Sequence, residues 1–316
     1  MQKTGTEKKR SLKECLKVFF CGTIMGAADV VPGVSGGTMA FILGIYDELL
    51  ASIKQILNLE TLKMGCSFQL KKMYSRLPWP FLLSLGLGIG AAILLFSAPI
   101  SWMLKHRLAL ILAFFFGLVL GSVVTVWNKV ERWSFDRYAA LLLGAAGGFI
   151  IVGLPVLASP PDGKWYLVLC GAVAVCAMIL PGISGSFILL LMGKYQYVLD
   201  AVNQLKKFSN ITENLCTLLL FCLGIVCGIS VFVRFLSWLL KKYNDITVAV
   251  LIGFMLGSLR KVWPWKVAEK IENANIMPDI NANFFTAVIL AIAGFFLVLA
   301  IEYAAKHLAQ QKKEIN

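Results

Sequence analysis

The stretch Pro32-Gly33-Val34-Ser35-Gly36-Gly37-Thr38 recurs almost unchanged as Pro181-Gly182-Ile183-Ser184-Gly185-Ser186-Phe187. Each copy interrupts an apolar run about midway. Proline has no backbone N–H to continue a helix, and glycine is costly inside one, so each phrase predicts a broken helix. In lipid an interrupted backbone is tolerated only where protein or a water-filled cavity covers it. Two matching breaks therefore predict a paired interior site.

The likeness runs outward from the phrase. An offset of 149 also pairs Gly44 with Gly193, Tyr46 with Tyr195 and Leu50 with Leu199. The offset then becomes 136, pairing Gly88 with Gly224, Ser101-Trp102 with Ser237-Trp238, Gly117 with Gly253 and Leu120-Gly121-Ser122 with Leu256-Gly257-Ser258. The difference falls in the polar loop 54–80, which is longer than its counterpart 203–214. This is a two-fold internal repeat, with halves 1–158 and 159–316.

Of the 316 residues 59% are hydrophobic, and the mean hydropathy is +0.78, so the bilayer is the expected solvent. Runs 81–104, 108–127, 138–157, 215–240, 246–263 and 284–303 reach or approach the roughly 20 residues that cross the hydrocarbon core. The broken pairs, 12–53 and 165–202, have arms too short for full crossings and read as re-entrant. Each half then holds three crossings, an odd number, which inverts the second half relative to the first. With the N-terminus inside, this arrangement assigns 19 Lys and Arg residues to the cytoplasm and 10 to the outside, as the positive-inside rule requires. Two full crossings per pair would give the same parity. The expected fold is an all-α polytopic membrane protein of two inverted-topology repeats, each a broken or re-entrant helical hairpin plus three transmembrane helices, with both termini cytoplasmic.

The net charge of +13 flanks the apolar runs, which points to topology and anionic lipid rather than to nucleic acid. The basic N-terminus carries no small-residue cleavage site after a short apolar core, which reads against a cleaved signal peptide. Eight cysteines lie mostly in apolar helices with no CxxC spacing, and read as small hydrophobes. Only His106 and His307 are present, so neither a metal site nor a histidine-based lipid phosphatase is expected.

The second arm of each pair begins just after Pro-Gly. Its first N–H groups, on Ser35, Gly36, Gly37 and Thr38 and on Ser184, Gly185, Ser186 and Phe187, would face outward at a positive helix end, which suits an anion. The hydroxyls of Ser35, Thr38, Ser184 and Ser186 add donors. Two such ends facing each other would hold phosphate or carboxylate, whereas packing kinks are the structural alternative. Asp29 stands at membrane depth before the first break and has Met178 as its counterpart. It is a candidate for coupling to H⁺ or Na⁺, or a carboxylate capping loop amides after the break. Glu48, paired with Tyr197, is a second acid for the same role or a solvated interfacial group. Arg234 could grip phosphate bidentately or snorkel to the cytoplasmic surface. No cofactor is expected beyond a coupling ion.

The run Gly26-Ala27-Ala28-Asp29-Val30-Val31-Pro32-Gly33-Val34-Ser35-Gly36-Gly37-Thr38, followed by Gly44-Ile45-Tyr46, closely resembles the signature of the bacterial polyprenyl-phosphate transporters. Pro181-Gly182-Ile183-Ser184-Gly185-Ser186 and Gly193-Lys194-Tyr195 match that family's second signature. The resemblance implies a protein of the bacterial cytoplasmic membrane, a flippase that returns undecaprenyl phosphate from the outer to the inner leaflet for peptidoglycan and other envelope polymers. It implies a lipid-linked phosphate as the partner, with membrane lipids around it and a second copy of the chain as a further candidate. The residues alone also admit a small-anion secondary transporter for phosphate or carboxylate.

Overall fold

The computed structural model describes residues 10–30, 35–58, 60–61, 63, 76–206, 210–267 and 274–314. Pro32, Gly33 and Val34 of the first phrase, Cys66 and Lys207 lie outside them.

Ser11 caps the first helix reciprocally with Glu14, and α1 runs Leu12–Asp29. The seven-residue α2 (Gly36–Ile42) and α3 (Tyr46–Ile56) then bring the chain back. At the base of this hairpin, Arg10 forms an ion pair with Glu48. The second half repeats the pattern with α7 (Lys164–Ile179), α8 (Gly185–Leu191) and α9 (Tyr195–Lys206). There Lys194 pairs with Asp162 at 3.5 Å, and the Tyr166 hydroxyl donates to Met192 O at 3.0 Å. The short helices end alike. Gly44 and Gly193 both have φ +70°, the left-handed turn that favours glycine. Ile45 N–H bonds Ala40 O at 3.0 Å, and Lys194 N–H bonds Leu189 O at 3.2 Å, the long bond of a Schellman motif in each case. The single arm expected after each break is thus two helices, split at these glycines.

The long helices are α4 (Trp79–His106), α5 (Leu108–Trp127), α6 (Phe135–Gly153), α10 (Ile211–Lys242), α11 (Asn244–Ser258) and α12 (Ala282–Glu314). Among the described residues five of them, all but α11, are long and apolar enough to cross a membrane. The expected sixth span, 246–263, is cut short. α11 stops at Ser258 after 15 residues, about 22 Å of rise. Trp263 precedes Pro264, whose ring disfavours helix at the residue before it. In the same way α6 stops at Gly153 rather than 157, just before Leu154-Pro155.

The principal pairings are α1 with α4, α7 with α10, α5 with α12 and α6 with α11. Glycines permit the close approach. A side chain at Gly88 would strike Phe19 O, and one at Gly224 would strike Val168 O; Gly117 meets Ala291 O as Gly253 meets Leu141 O. The first pair of contacts corresponds at the two offsets read from the sequence, and the second pair has glycines 136 apart with partners 150 apart. Of the long helices α5 and α11 are the most enclosed, whereas α4, α6, α10 and α12 expose apolar side chains such as Leu94, Leu143, Leu219 and Phe296. Small-residue contact inside with apolar exposure outside is the pattern expected of helices packed in lipid. The only β pairing among the described residues is one bridge, Lys266 to Asn275.

Candidate functional site

Both broken arms end where the two hairpins meet. The last turn of α7 leaves carbonyls with no helical partner, and the first hairpin supplies donors for them. Ser35 Oγ donates to Met178 O at 3.2 Å, with Leu180 O at 3.4 Å, and the Tyr46 hydroxyl donates to Ile179 O at 3.0 Å. Ser35 Oγ also accepts the Gly37 N–H at 3.1 Å, which makes it the N-cap of α2. The Thr38 hydroxyl accepts the Gly182 N–H at 2.8 Å. Ser35 and Thr38 are fully buried, at 0% and 1% exposure. The positive end of α2 therefore abuts the negative end of α7, a favourable dipole alignment.

Two glycines make this contact possible. A Cβ at Gly37 would stand 2.8 Å from Ile179 O and 2.9 Å from Met178 O. Gly182 has φ +99°, and a Cβ there would meet Ser258 Oγ at 2.7 Å.

Asp29 is half-buried beside the break, and its carboxylate accepts the Gly36 N–H at 2.6 Å. Read from α1 alone, the acid stands at the unfavourable C-terminal end of a helix. The return of the chain brings it onto the N-terminal end of the next helix, where negative charge is stabilised. The capped amide is the first of α2, just past the break, rather than one within the loop.

The second copy is arranged differently. Ser184 is the N-cap residue of α8 but makes no side-chain cap bond; its Oγ lies 2.6 Å from Ser186 Oγ. Ser184 is buried, Gly185 is partly covered and Ser186 is exposed. The junction is therefore lopsided: first-copy donors are engaged in joining the hairpins, and second-copy hydroxyls bond each other at its open side.

Two of the expected site residues lie elsewhere. Glu48 is in the ion pair with Arg10 at the hairpin base, far along the chain from the tip that holds Asp29. Arg234 is exposed on α10, donates to Leu57 O at 3.3 Å, and lines a separate cleft with Lys54 and Lys241. A long cationic side chain near a helix end reaches for polar surroundings, which draws Arg234 toward that end rather than to the junction. In the sequence Tyr46 is a repeat match and part of the signature Gly44-Ile45-Tyr46; its value as a carbonyl cap follows from tertiary contact with α7. Lys129 was read only as a topological charge. It donates to Phe41 O at 3.1 Å and lies 4.4 Å from the Phe41 ring centre, at the negative end of α2. Among the described residues no three His, Cys, Asp or Glu side chains cluster as metal ligands, and the described cysteines are all free thiols.

Apolar spans around two hairpins joined at a buried polar junction define a polytopic helical membrane protein. The chain belongs to the undecaprenyl phosphate translocase-like family, whose model matches residues 25–279. It is 41% identical over 310 residues to a polyprenyl-phosphate transporter of Vibrio cholerae, covering 92% of this chain and 97% of that one. It is 29% identical over 296 residues to a polyprenyl-phosphate transporter of Staphylococcus aureus, covering 89% and 93%. No solved structure shows significant similarity to it. Both relatives are named as transporters and neither as an enzyme, and this chain stands with them.

Proposed function

We propose that the chain is a flippase that returns undecaprenyl phosphate from the outer to the cytoplasmic leaflet of the bacterial cytoplasmic membrane, for reuse in envelope polymer synthesis. The observation that carries the reading is the junction itself, where two interrupted helices meet in buried, hydroxyl-bearing backbone. Discontinuous helices that meet in the interior are the architecture of alternating-access transporters. The names of the relatives supply the lipid.

In this reading the hairpins are re-entrant, they enter from opposite faces, and the two halves are an inverted repeat. Three features support it. Each hairpin closes on itself at its base, Arg10 with Glu48 and Asp162 with Lys194, while the tips touch through Thr38 and Gly182. Arg137 pairs with Asp245 at 3.3 Å, joining segments that the charge count puts in the cytoplasm, and Arg234, within a span, bonds Leu57 O in a loop that the count also puts there. Asp162 and Lys194 belong together on the other side by the same count.

The phosphate is received by the Ser184 and Ser186 hydroxyls and the first amides of α8. Ser35 and Thr38 hold the tips together in the present conformation and turn the same groups to the phosphate when the junction opens. The Asp29 carboxylate occupies the Gly36 amide and repels an incoming dianion, so H⁺ or Na⁺ at Asp29 accompanies the substrate. Protonation removes the charge and releases the amide. The prenyl tail stays in lipid throughout.

The test is reconstitution in proteoliposomes with labelled undecaprenyl phosphate in one leaflet. The protein is expected to accelerate leaflet exchange, and an imposed H⁺ or Na⁺ gradient to bias it. No acceleration by folded protein refutes the transporter reading. A gradient response unchanged in Asp29→Asn removes Asp29 from the coupling role. Strong competition by inorganic phosphate would instead favour a small-anion transporter.

A further inference from the structure

Where the base of the first hairpin meets the end of α10, Lys54, Arg234, Ser237, Trp238, Lys241 and Lys242 line an open cleft of about 440 Å³. Arg234, Ser237, Trp238 and Lys241 recur at i, i+3, i+4 and i+7, so they share one face of α10. Lys54 comes from the last turn of α3. Among the described residues, no carboxylate forms an ion pair with any of the four cations. The guanidinium of Arg234 is steadied by one bond, to Leu57 O at 3.3 Å. Lys242 lies 5.5 Å from the Trp238 ring centre and 5.2 Å from that of Tyr243.

Four like charges around one concavity repel one another, and an anion bound among them removes that cost. The planar guanidinium fork matches two phosphate oxygens, and lysines add point charges that suit a dianion better than a singly charged phosphodiester. The same helix offers lipid a bare apolar surface beside the cleft: Val231 is 70% exposed and Phe235 51%. An anionic head in the cleft can therefore keep an apolar tail against α10.

We propose that this cleft is a second phosphate site, separate from the hairpin junction, that holds a phosphomonoester headgroup at the membrane surface. The identity of the lipid rests on the transporter reading above; the phosphate chemistry does not.

The experiment uses the full chain in phosphatidylcholine nanodiscs and a prenyl monophosphate with a photoreactive group in its first isoprene unit. Mass spectrometry maps the labelled residues. Labelling within 231–242 is expected, and it falls about tenfold in Arg234→Gln, a loss of about 1.4 kcal/mol in binding. The double variant Lys241→Gln/Lys242→Gln behaves similarly, and its altered side chains are exposed, so folding is preserved. Excess unlabelled prenyl monophosphate removes the label and phosphatidylglycerol at equal mole fraction does not. Displacement by millimolar inorganic phosphate as well assigns the site to the free anion; displacement by the lipid alone assigns it to a headgroup. Either result supports a phosphate site. No label in 231–242, undiminished label in the variants, or equal displacement by phosphatidylglycerol overturns it. If leaflet exchange is absent while this labelling persists, the transporter reading falls and the site stands.

Discussion

Replacing Thr38 by Val tests the junction at a single bond. The two side chains have the same shape, so the substitution removes the oxygen that accepts the Gly182 N–H at 2.8 Å and little else. Thr38 is 1% exposed and Gly182 is buried, so water does not replace the lost acceptor. A buried donor left unsatisfied costs about 1–3 kcal/mol. Ser258 Oγ and Met255 Cα lie 2.7 and 3.1 Å from where a Cβ on Gly182 would stand, so little space is open for the peptide to turn into. The expected loss is therefore in the middle of that range or above, about 2 kcal/mol, or roughly 30-fold in the folding equilibrium. Thr38→Ser keeps the hydroxyl and sheds one methyl, for about 1 kcal/mol or less. Unfolding by SDS titration in mixed micelles measures both variants, and leaflet exchange in proteoliposomes should fall further in Val than in Ser. If Ser proves as destabilising as Val, or worse, packing rather than the inter-hairpin bond holds the junction and the reasoning fails.

Gly37→Ala should cost about 1–3 kcal/mol, since its Cβ would press on the fixed carbonyls of Met178 and Ile179. Gly90→Ala is the control: nothing lies within 4 Å of a Cβ there, and alanine is the better helix former by up to about 1 kcal/mol. Equal effects in the SDS titration would refute the close approach at Gly37. In the loop between α11 and α12, burial, with Lys261 and Arg260 nearby, lowers the pKa of the Lys266 ammonium to about 8. The unfolded chain keeps the ordinary lysine value, so between about pH 8 and 10 it holds a proton that the folded chain has lost, and stability rises with pH across that window. Lys266→Met should abolish this rise and stabilise the protein at pH 7, by less than about 3 kcal/mol because the bond from Lys266 Nζ to Asn275 Oδ1 at 2.7 Å is lost. Wild type and variant differing by a constant amount from pH 7 to 10 would contradict it.

The helical, apolar character of the chain was legible in the sequence because composition and run length carry it directly. So were the paired glycines: Gly44 and Gly193 were matched by offset alone, and both prove to be left-handed helix ends. Helix ends were legible only in part. The turn before Pro264 shortens α11, but an apolar run through 263 masks it until the preference of the pre-proline residue is weighed. Asp29 shows a different limit. Its partner amide, on Gly36, is seven residues away across a reversal of the chain, so a reading along α1 gave its charge the wrong end of a dipole. Arg234 admits a grip on phosphate or a reach to the cytoplasmic surface, and its chemical type says nothing of which end of a 32-residue helix its side chain reaches.

The packing of the third helix in each half bears on how such a protein can move. α6 lies against α11 of the second half, and α12 lies against α5 of the first. The sequence halves are thus interlocked, and sliding one whole half past the other would break both of these glycine-lined contacts. α5, α6, α11 and α12 instead group as a scaffold drawn from both halves, while α1 with α4 and α7 with α10 form two arms. Contacts between arm and scaffold, such as α4 with α5 or α10 with α11, are sparser than those within either group. Close-packed surfaces resist shear and sparse ones permit it. Motion of an arm, carrying its hairpin tip, leaves the four principal helix pairings intact. The bonds it must break include those of Ser35, Thr38 and Tyr46 across the junction, together with Arg234 to Leu57 O and Lys129 to Phe41 O. In the proposed transport cycle, the residues that join the hairpins are therefore among those that set the free energy of opening them.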